Sequence, residues 1–167
     1  KLGEGGLRQC SCDGSSTVLT IALLSRVYKG RPRLTLNLLA RPPFRYLWDI
    51  VHRVHRDSGF GCGLFNSEKS EKGLTLLDRE GRIAWLTKLL HLIDMHLGLD
   101  GGLLAQVKPS KIVAGLETNN TNLMMQLLAV CALVAPDSSR AVERLRGFRP
   151  PELLNAKYYN EAALMLT

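Results

Sequence analysis

Residues 42–57 read PPFRYLWDIVHRVHRD, and the fold follows from this stretch. Pro42 disfavours helix at Arg41 before it, while Pro43 has the fixed φ of a first helical turn, so a helix is expected from Pro43 to about Asp57. Phe44, Leu47, Trp48, Val51 and Val54 or His55 recur at three- and four-residue spacing and form its buried stripe. Arg45, Asp49, His52, Arg53 and Arg56 fall mostly on the other side.

The same punctuation repeats on both sides of it. Upstream, Val18, Ile21, Leu24 and Val27 or Tyr28 mark a helix over about 17–29, with Ser15, Ser16 or Thr17 as its cap and Gly30-Arg31-Pro32 as its stop. Leu34–Ala40 reads as a short helical turn capped by Thr35. Downstream, Asn66–Gly73 is a polar loop, and Asp78 caps a strong helix to about Leu97 with Ile83, Leu86, Leu90, Ile93 and Leu97 at core spacing. A short helix at Pro109–Gly115 precedes an apolar one from Thr118 or Asn119 through Leu123, Leu127, Leu128, Cys131 and Val134, ended by Pro136. Asp137 opens a short basic helix (Arg140, Arg144, Arg146), and a last helix is expected over about Glu152–Met165. The expectation is an all-α fold of about six to seven helices, with a flexible tail at 1–15, a domain at 16–147 and a one-helix extension at 148–167. Phe44, Leu47, Trp48, Ile83, Leu86, Leu90, Leu127 and Leu128 should share one core.

Composition agrees. The chain is long enough for one domain with a real core, its residues are 46% apolar but only 6% aromatic, and Leu dominates, which favours packed helices over a sandwich or barrel. The start carries no apolar segment of signal-peptide type, and with no initiator Met the chain is expected to be trimmed or to be one ordered piece of something longer. Leu123–Ala135, the longest apolar run, is interrupted by Gln126 and too short to span a bilayer, so no membrane insertion is expected.

Charge placement says more than the net +7. Arg26, Lys29, Arg31, Arg33, Arg41, Arg45, Arg53 and Arg56 stand against only Asp49 and Asp57, so one short region holds most of the excess. Such a surface attracts polyanions through a screened field. Few aromatics can be spared from the core to stack bases, so no nucleic acid is expected as partner.

The catalytic signals are weak. Ser nucleophile elbows, paired catalytic carboxylates and activated-Cys motifs are absent, so a binding module rather than an enzyme is expected. His52/His55 and His91/His96 are local pairs without a supporting third ligand and read as histidines at the edges of apolar stripes. Cys10-Ser-Cys12 has no second pair at zinc spacing, Cys131 reads as a core residue, and the scattered cysteines suit a reduced, intracellular protein. No metal or cofactor is expected. Gly59, Gly61 and Gly63 faintly mimic a phosphate-binding loop, but no strand leads in and no Gly-Lys-Ser/Thr follows. Turns that let Phe60 and Phe65 plug the core explain them better.

Longer blocks carry a resemblance. Arg31-Pro32-x-Leu34-Thr35, Leu38-Leu39, Pro42-Pro43-Phe44-Arg45-Tyr46-Leu47-x-Asp49-Ile50, Ser58-Gly59-Phe60, Gly63-Leu64-Phe65, Arg82-Ile83 with Leu86 and Lys88, Lys108-Pro109-x-Lys111-Ile112-Val113-Ala114-Gly115-x-Glu117 and Thr121-Asn122 occur in order over about 17–147. They resemble the N-terminal domain of the microtubule-interacting intraflagellar-transport complex B subunit, the TRAF-three-interacting or MIP-T-three family, so the chain is expected to be an isolated domain of that subunit or a paralogue that kept the domain. Leu116-Glu117-Thr118 departs from the family's His-Glu-Pro, the loop before the central helix is reduced to Leu77-Asp78-Arg79-Glu80-Gly81, and the family's linker and coiled coil are not in this sequence. The resemblance implies a calponin-homology-like fold, tubulin or microtubules and other complex B subunits as partners, and a setting in the cilium or flagellum, basal body and cytoskeleton. The alternative is a scaffold domain that docks another transport or axonemal protein through an apolar groove without touching tubulin.

The expected tubulin-binding residues are Lys29, Arg31, Arg33, Arg41, Arg45, Arg53 and Arg56, with Lys108 and Lys111 as a second group. Arg45 could instead brace the fold through an internal carboxylate. Reversing Arg31, Arg33 and Arg53 together is expected to abolish binding with little change in melting temperature.

Overall fold

The computed structural model describes residues 14–64 and 78–147. Among these it contains eight α-helices and no strand: α1 Gly14–Val27, α2 Leu36–Ala40, α3 Phe44–Ser58, α4 Arg79–Leu97, α5 Gly102–Gln106, α6 Pro109–Val113, α7 Thr118–Val134 and α8 Ser139–Gly147. Residues 1–13 of the tail expected at 1–15, Phe65, the polar loop at 66–73 and the extension at 148–167 lie outside the described residues, whereas Gly14 and Ser15 belong to α1.

Local signals set most helix ends. Thr35 Oγ1 accepts from Leu38 N at 3.2 Å and starts α2. Pro43 proves to be the N-cap of α3 rather than its first helical residue, with ψ 149. Asp78 Oδ1 accepts from Gly81 N at 2.8 Å and starts α4, which ends at Gly98 in the left-handed region. At α1 the expectation fails: the helix already runs from Gly14, so Ser15, Ser16 and Thr17 stand inside its first turn rather than capping it.

α4 is the central helix. Every residue from Ala84 to Leu90 is buried, as are Leu92, Ile93 and Asp94, so it has no solvent face over that length. It packs against α5, α6, α7 and α8, while α3 leans on α7 and α1. Between α3 and α4 the gap is filled by rings: Trp48 and Trp85 have centroids 4.8 Å apart, and Phe44 meets Trp85 edge-on at 5.5 Å. Leu47, Trp48, Leu86, Leu90 and Leu128 lie in the core, with Phe44 and Leu127 packed against it. Ile83 is only half-buried, because it belongs to the first turns of α4, before that helix is enclosed.

The helix missed in the sequence, α5, is made by a buried acid. Asp94 is 5% exposed, and its two carboxylate oxygens accept from Gly101 N at 2.8 Å and Leu103 N at 2.9 Å, caps for a helix that has no capping side chain of its own.

The seam between α1 and α7 corrects two apolar stripes. On α1 the buried positions are Thr17, Thr20 and Leu24, followed by Tyr28, while Val18 is 56% exposed. On α7 they are Thr121, Asn122, Met124, Met125, Leu128, Ala129, Cys131 and Ala132, while Val134 is 79% exposed. Both helices turn a polar edge inward because the two edges satisfy each other. Thr20 Oγ1 lies 2.8 Å from Asn122 Oδ1, Asn122 Nδ2 donates to Leu39 O at 2.9 Å and Thr118 O at 3.1 Å, and Gln126 Nε2 donates to Ser16 O at 3.0 Å. Asn122 therefore ties α1, α2 and α7 together. Replacing it with Leu strands the Leu39 carbonyl and breaks the bond to α1, while Thr20 keeps Ser16 O and Gln126 Nε2 as partners, so Asn122→Leu should lower unfolding free energy by about 2 kcal/mol. Urea denaturation measures this, and a loss below about 1 kcal/mol would contradict the role given to the seam.

Candidate functional site

Six basic residues of the first group lie on α3 or on the connection beside it, and their support comes from beneath; Arg41 stands apart, at the end of α2. Arg45, Asp49, Arg53 and Arg56 lie along one side of α3 at helical spacing. The connection from α1 to α2 runs beside this stripe and carries Lys29, Arg31 and Arg33, all exposed. Gly30 turns the connection with φ 98, a conformation that L side chains avoid.

Three side chains hold that connection by its carbonyls. Arg53 donates from its terminal nitrogens to Lys29 O at 2.9 Å and Arg31 O at 3.2 Å, and from Nε to Asp57 at 2.7 Å. Its guanidinium also lies 5.7 Å from the Tyr28 ring centroid. Tyr28 Oη donates to Pro32 O at 3.0 Å and Tyr46 Oη to Arg33 O at 2.9 Å. Burial pushes both phenols up from their ordinary pKa, so they remain donors. With the carbonyls drawn inward, the cationic side chains of Lys29, Arg31 and Arg33 are left in solvent.

The seven residues divide by role. Lys29, Arg31, Arg33 and Arg41 are exposed and form no ion pair with any described residue. Arg45 is the surface partner of Asp49, with Nε 3.1 Å from a carboxylate oxygen, so it does not brace the interior. Arg56 is largely exposed and 3.9 Å from Asp57. Arg53 is the brace, and the expectation that it can be reversed without thermal cost is corrected here. Asp57 one turn after Arg53 signalled the ion pair, but nothing local signalled the two carbonyls more than twenty residues upstream.

The second group sits elsewhere. Lys108 and Lys111 are exposed at α6, which packs on α4, and Lys108 Nζ turns back to Leu104 O at 3.1 Å. The structure does not join them to the α3 face through any extensive helix contact.

The other chemical candidates are absorbed by the fold. His52 Nδ1 meets Trp48 O at 2.9 Å, His55 Nδ1 meets Phe60 O at 2.8 Å and His96 Nε2 meets Ala135 O at 2.7 Å. Desolvation pushes the His52 and His91 pKa values down. Cys131 is buried, which pushes its thiol up to about 12, and Cys62 is exposed; Cys10 and Cys12 lie outside the described residues. No group of three or more His, Cys, Asp or Glu among the described residues could hold a metal, and no described helix is long and apolar enough to cross a membrane.

The glycine turn after α3 is a plug rather than a phosphate loop. Phe60 is 2% exposed within it, and its amides already have acceptors: Gly59 N donates to His55 O, Phe60 N to Ser58 Oγ, Gly61 N to Ser138 Oγ and Cys62 N to Gly59 O. Lys88 and Arg146 each donate to the turn at 2.7 Å, Lys88 to Leu64 O and Arg146 to Gly63 O. Burial, with Arg146 adding repulsion, brings the Lys88 amine down to about 8.

Residues 17–134 match the family described as "Microtubule-binding protein MIP-T3 CH-like domain". The chain is 42% identical over 122 residues to TRAF3-interacting protein 1 of Danio rerio, covering 73% of this chain and 18% of that protein. It is 41% identical over 115 residues to the Mus musculus protein of the same name, covering 69% of this chain and 18% of that one. The Rattus norvegicus protein matches at the same identity over 115 residues. The chain thus spans under a fifth of the length of these relatives.

Arg53 should behave as structure and its neighbours as surface. Arg53→Ala is expected to cost about 1–3 kcal/mol, because a charge-assisted brace is lost and two carbonyls are released. Arg31→Ala should stay within about 0.5 kcal/mol of the parent. Paired urea titrations decide it; equal effects at the two positions would refute the division of roles.

Proposed function

Because the chain belongs to the microtubule-binding protein MIP-T3 CH-like domain family, we propose that it is a non-catalytic module that binds tubulin or microtubules through the basic face of α3 and the connection before it. The observation that carries this reading is the stapled connection: Arg53, Tyr28 and Tyr46 fix its backbone, and Lys29, Arg31 and Arg33 project from it beside α3. Tubulin has strongly acidic tails, and a preordered row of cations meets such a chain without the entropic cost of ordering its own backbone.

Unpaired Lys29, Arg31, Arg33 and Arg41 supply the attraction, while Arg45 and Arg56 extend the face and Arg53 supports it. Lys108 and Lys111 form an accessory contact on another part of the surface. We take 16–147 as the folded module, acting within a longer subunit of an intraflagellar-transport assembly alongside other complex B subunits, at the cilium or flagellum and its basal body. One observation favours the scaffold alternative: Leu36 and Leu38 are 51% and 38% exposed on α2, apolar surface that a protein partner could cover.

Salt and charge separate the two. Exposed charge contacts are screened at a Debye length of about 10 Å in 0.1 M salt, so co-sedimentation with microtubules should fall sharply between low and moderate ionic strength. Arg31→Glu/Arg33→Glu should weaken binding at least about ten-fold with helix content unchanged, since neither side chain makes a bond that the fold needs. Normal binding by this variant, or binding indifferent to salt, would favour the scaffold function.

A further inference from the structure

The C-terminal end of α4 and the start of α8 enclose a cleft of about 340 Å³, lined by Met95, His96, Asp137, Arg140, Ala141 and Arg144. None of these residues belongs to the α3 face. Arg140 and Arg144 stand one turn apart on α8, so their side chains rise from the same side of that helix. Both are exposed, and neither forms an ion pair with any described residue, Glu143 between them included. Two neighbouring cations left uncompensated repel each other, and an anion held between them relieves that repulsion.

The rest of the cleft is ordered. His96 is held by Ala135 O at 2.7 Å, and its ring meets Phe60 edge-on at 5.1 Å, so it forms a fixed wall. Asp137 is fixed at the rim, where Oδ1 accepts from Ser139 N at 3.1 Å and Ser139 Oγ at 2.5 Å. Its Oδ2 accepts nothing from the described residues. Two guanidinium groups and one carboxylate acceptor therefore line a cleft whose apolar part is half-buried Met95, with Ala141 buried behind it.

Charge selects the ligand. The arginines together outweigh Asp137 by one positive charge, which suits a monoanion, whereas the second charge of a phosphate dianion would lie against Asp137. We propose that this cleft binds an acidic peptide segment: a Glu or Asp side chain is gripped by Arg140 and Arg144, a peptide N–H donates to Asp137 Oδ2, and an adjacent apolar residue rests on Met95. Guanidinium pairs read a planar carboxylate bidentately, which supplies the geometry. The site works independently of the α3 face.

The test is an NMR titration of the 15N-labelled 167-residue chain with a blocked Leu-Glu-Leu peptide, with inorganic phosphate as the second ligand. Saturable shifts are expected at the amides of His96 and residues 137–144. They should weaken at least five-fold in Arg140→Gln/Arg144→Gln, or in Arg144→Gln alone, and persist in Arg31→Glu/Arg33→Glu. Absence of saturable shifts there, shifts indifferent to the arginine substitutions, or saturation by phosphate at lower concentration than by peptide would each overturn the assignment.

Discussion

Asn122 is buried at the junction of α1, α2 and α7, and its amide is the constraint from which the rest of the arrangement follows. A buried amide without partners is costly, so the helices around it must offer a hydroxyl and two carbonyls at fixed positions. Thr20, Leu39 and Thr118 provide them. That requirement sets the rotation of α7, places α1 alongside it and fixes α2 across both. Leu alone would pack in several rotations; the amide accepts one.

What this geometry secures is the path of the chain between α1 and α2. With α1 pinned at Thr20 and α2 at Leu39, the connection has both ends fixed, and Arg53 takes up its carbonyls in the middle. One cation is thereby spent on structure so that three others can stand in solvent at defined places. The division explains why charge count is a poor guide to a binding surface. Arg45 and Arg53 are both paired with a carboxylate one turn later on the same helix, yet only Arg53 also grips backbone from another element.

Much of this was legible in the sequence. Pro42-Pro43, Thr35 and Asp78 act within one turn of themselves, and the elements they start follow the expected limits closely. The failures have a common cause, which is polar groups acting at a distance. α5 depends on Asp94, seven to nine residues upstream of the amides that it caps. The inward edges of α1 and α7 are polar, so a rule that buries apolar residues rotated α7 toward Leu123 and Val134, and Val134 is exposed. The candidate cations were legible as a cluster, because six of them crowd the connection and α3 and Arg41 stands between α2 and α3. Their separation into brace and surface was not, since the partners of Arg53 are peptide oxygens that no residue type announces. The cleft at α8 was equally hidden, because it exists only once the end of α4 meets Arg140 and Arg144.

The central claim is that tubulin's acidic surface meets the connection before α3. Zero-length carbodiimide coupling tests it most directly, because it joins an amine only to a carboxylate already in contact. In a complex of the chain with tubulin, Lys29 should be the principal site joined to tubulin carboxylates, with Lys108 and Lys111 coupled less. A saturated complex in which Lys29 stays unmodified while other lysines couple would contradict the account.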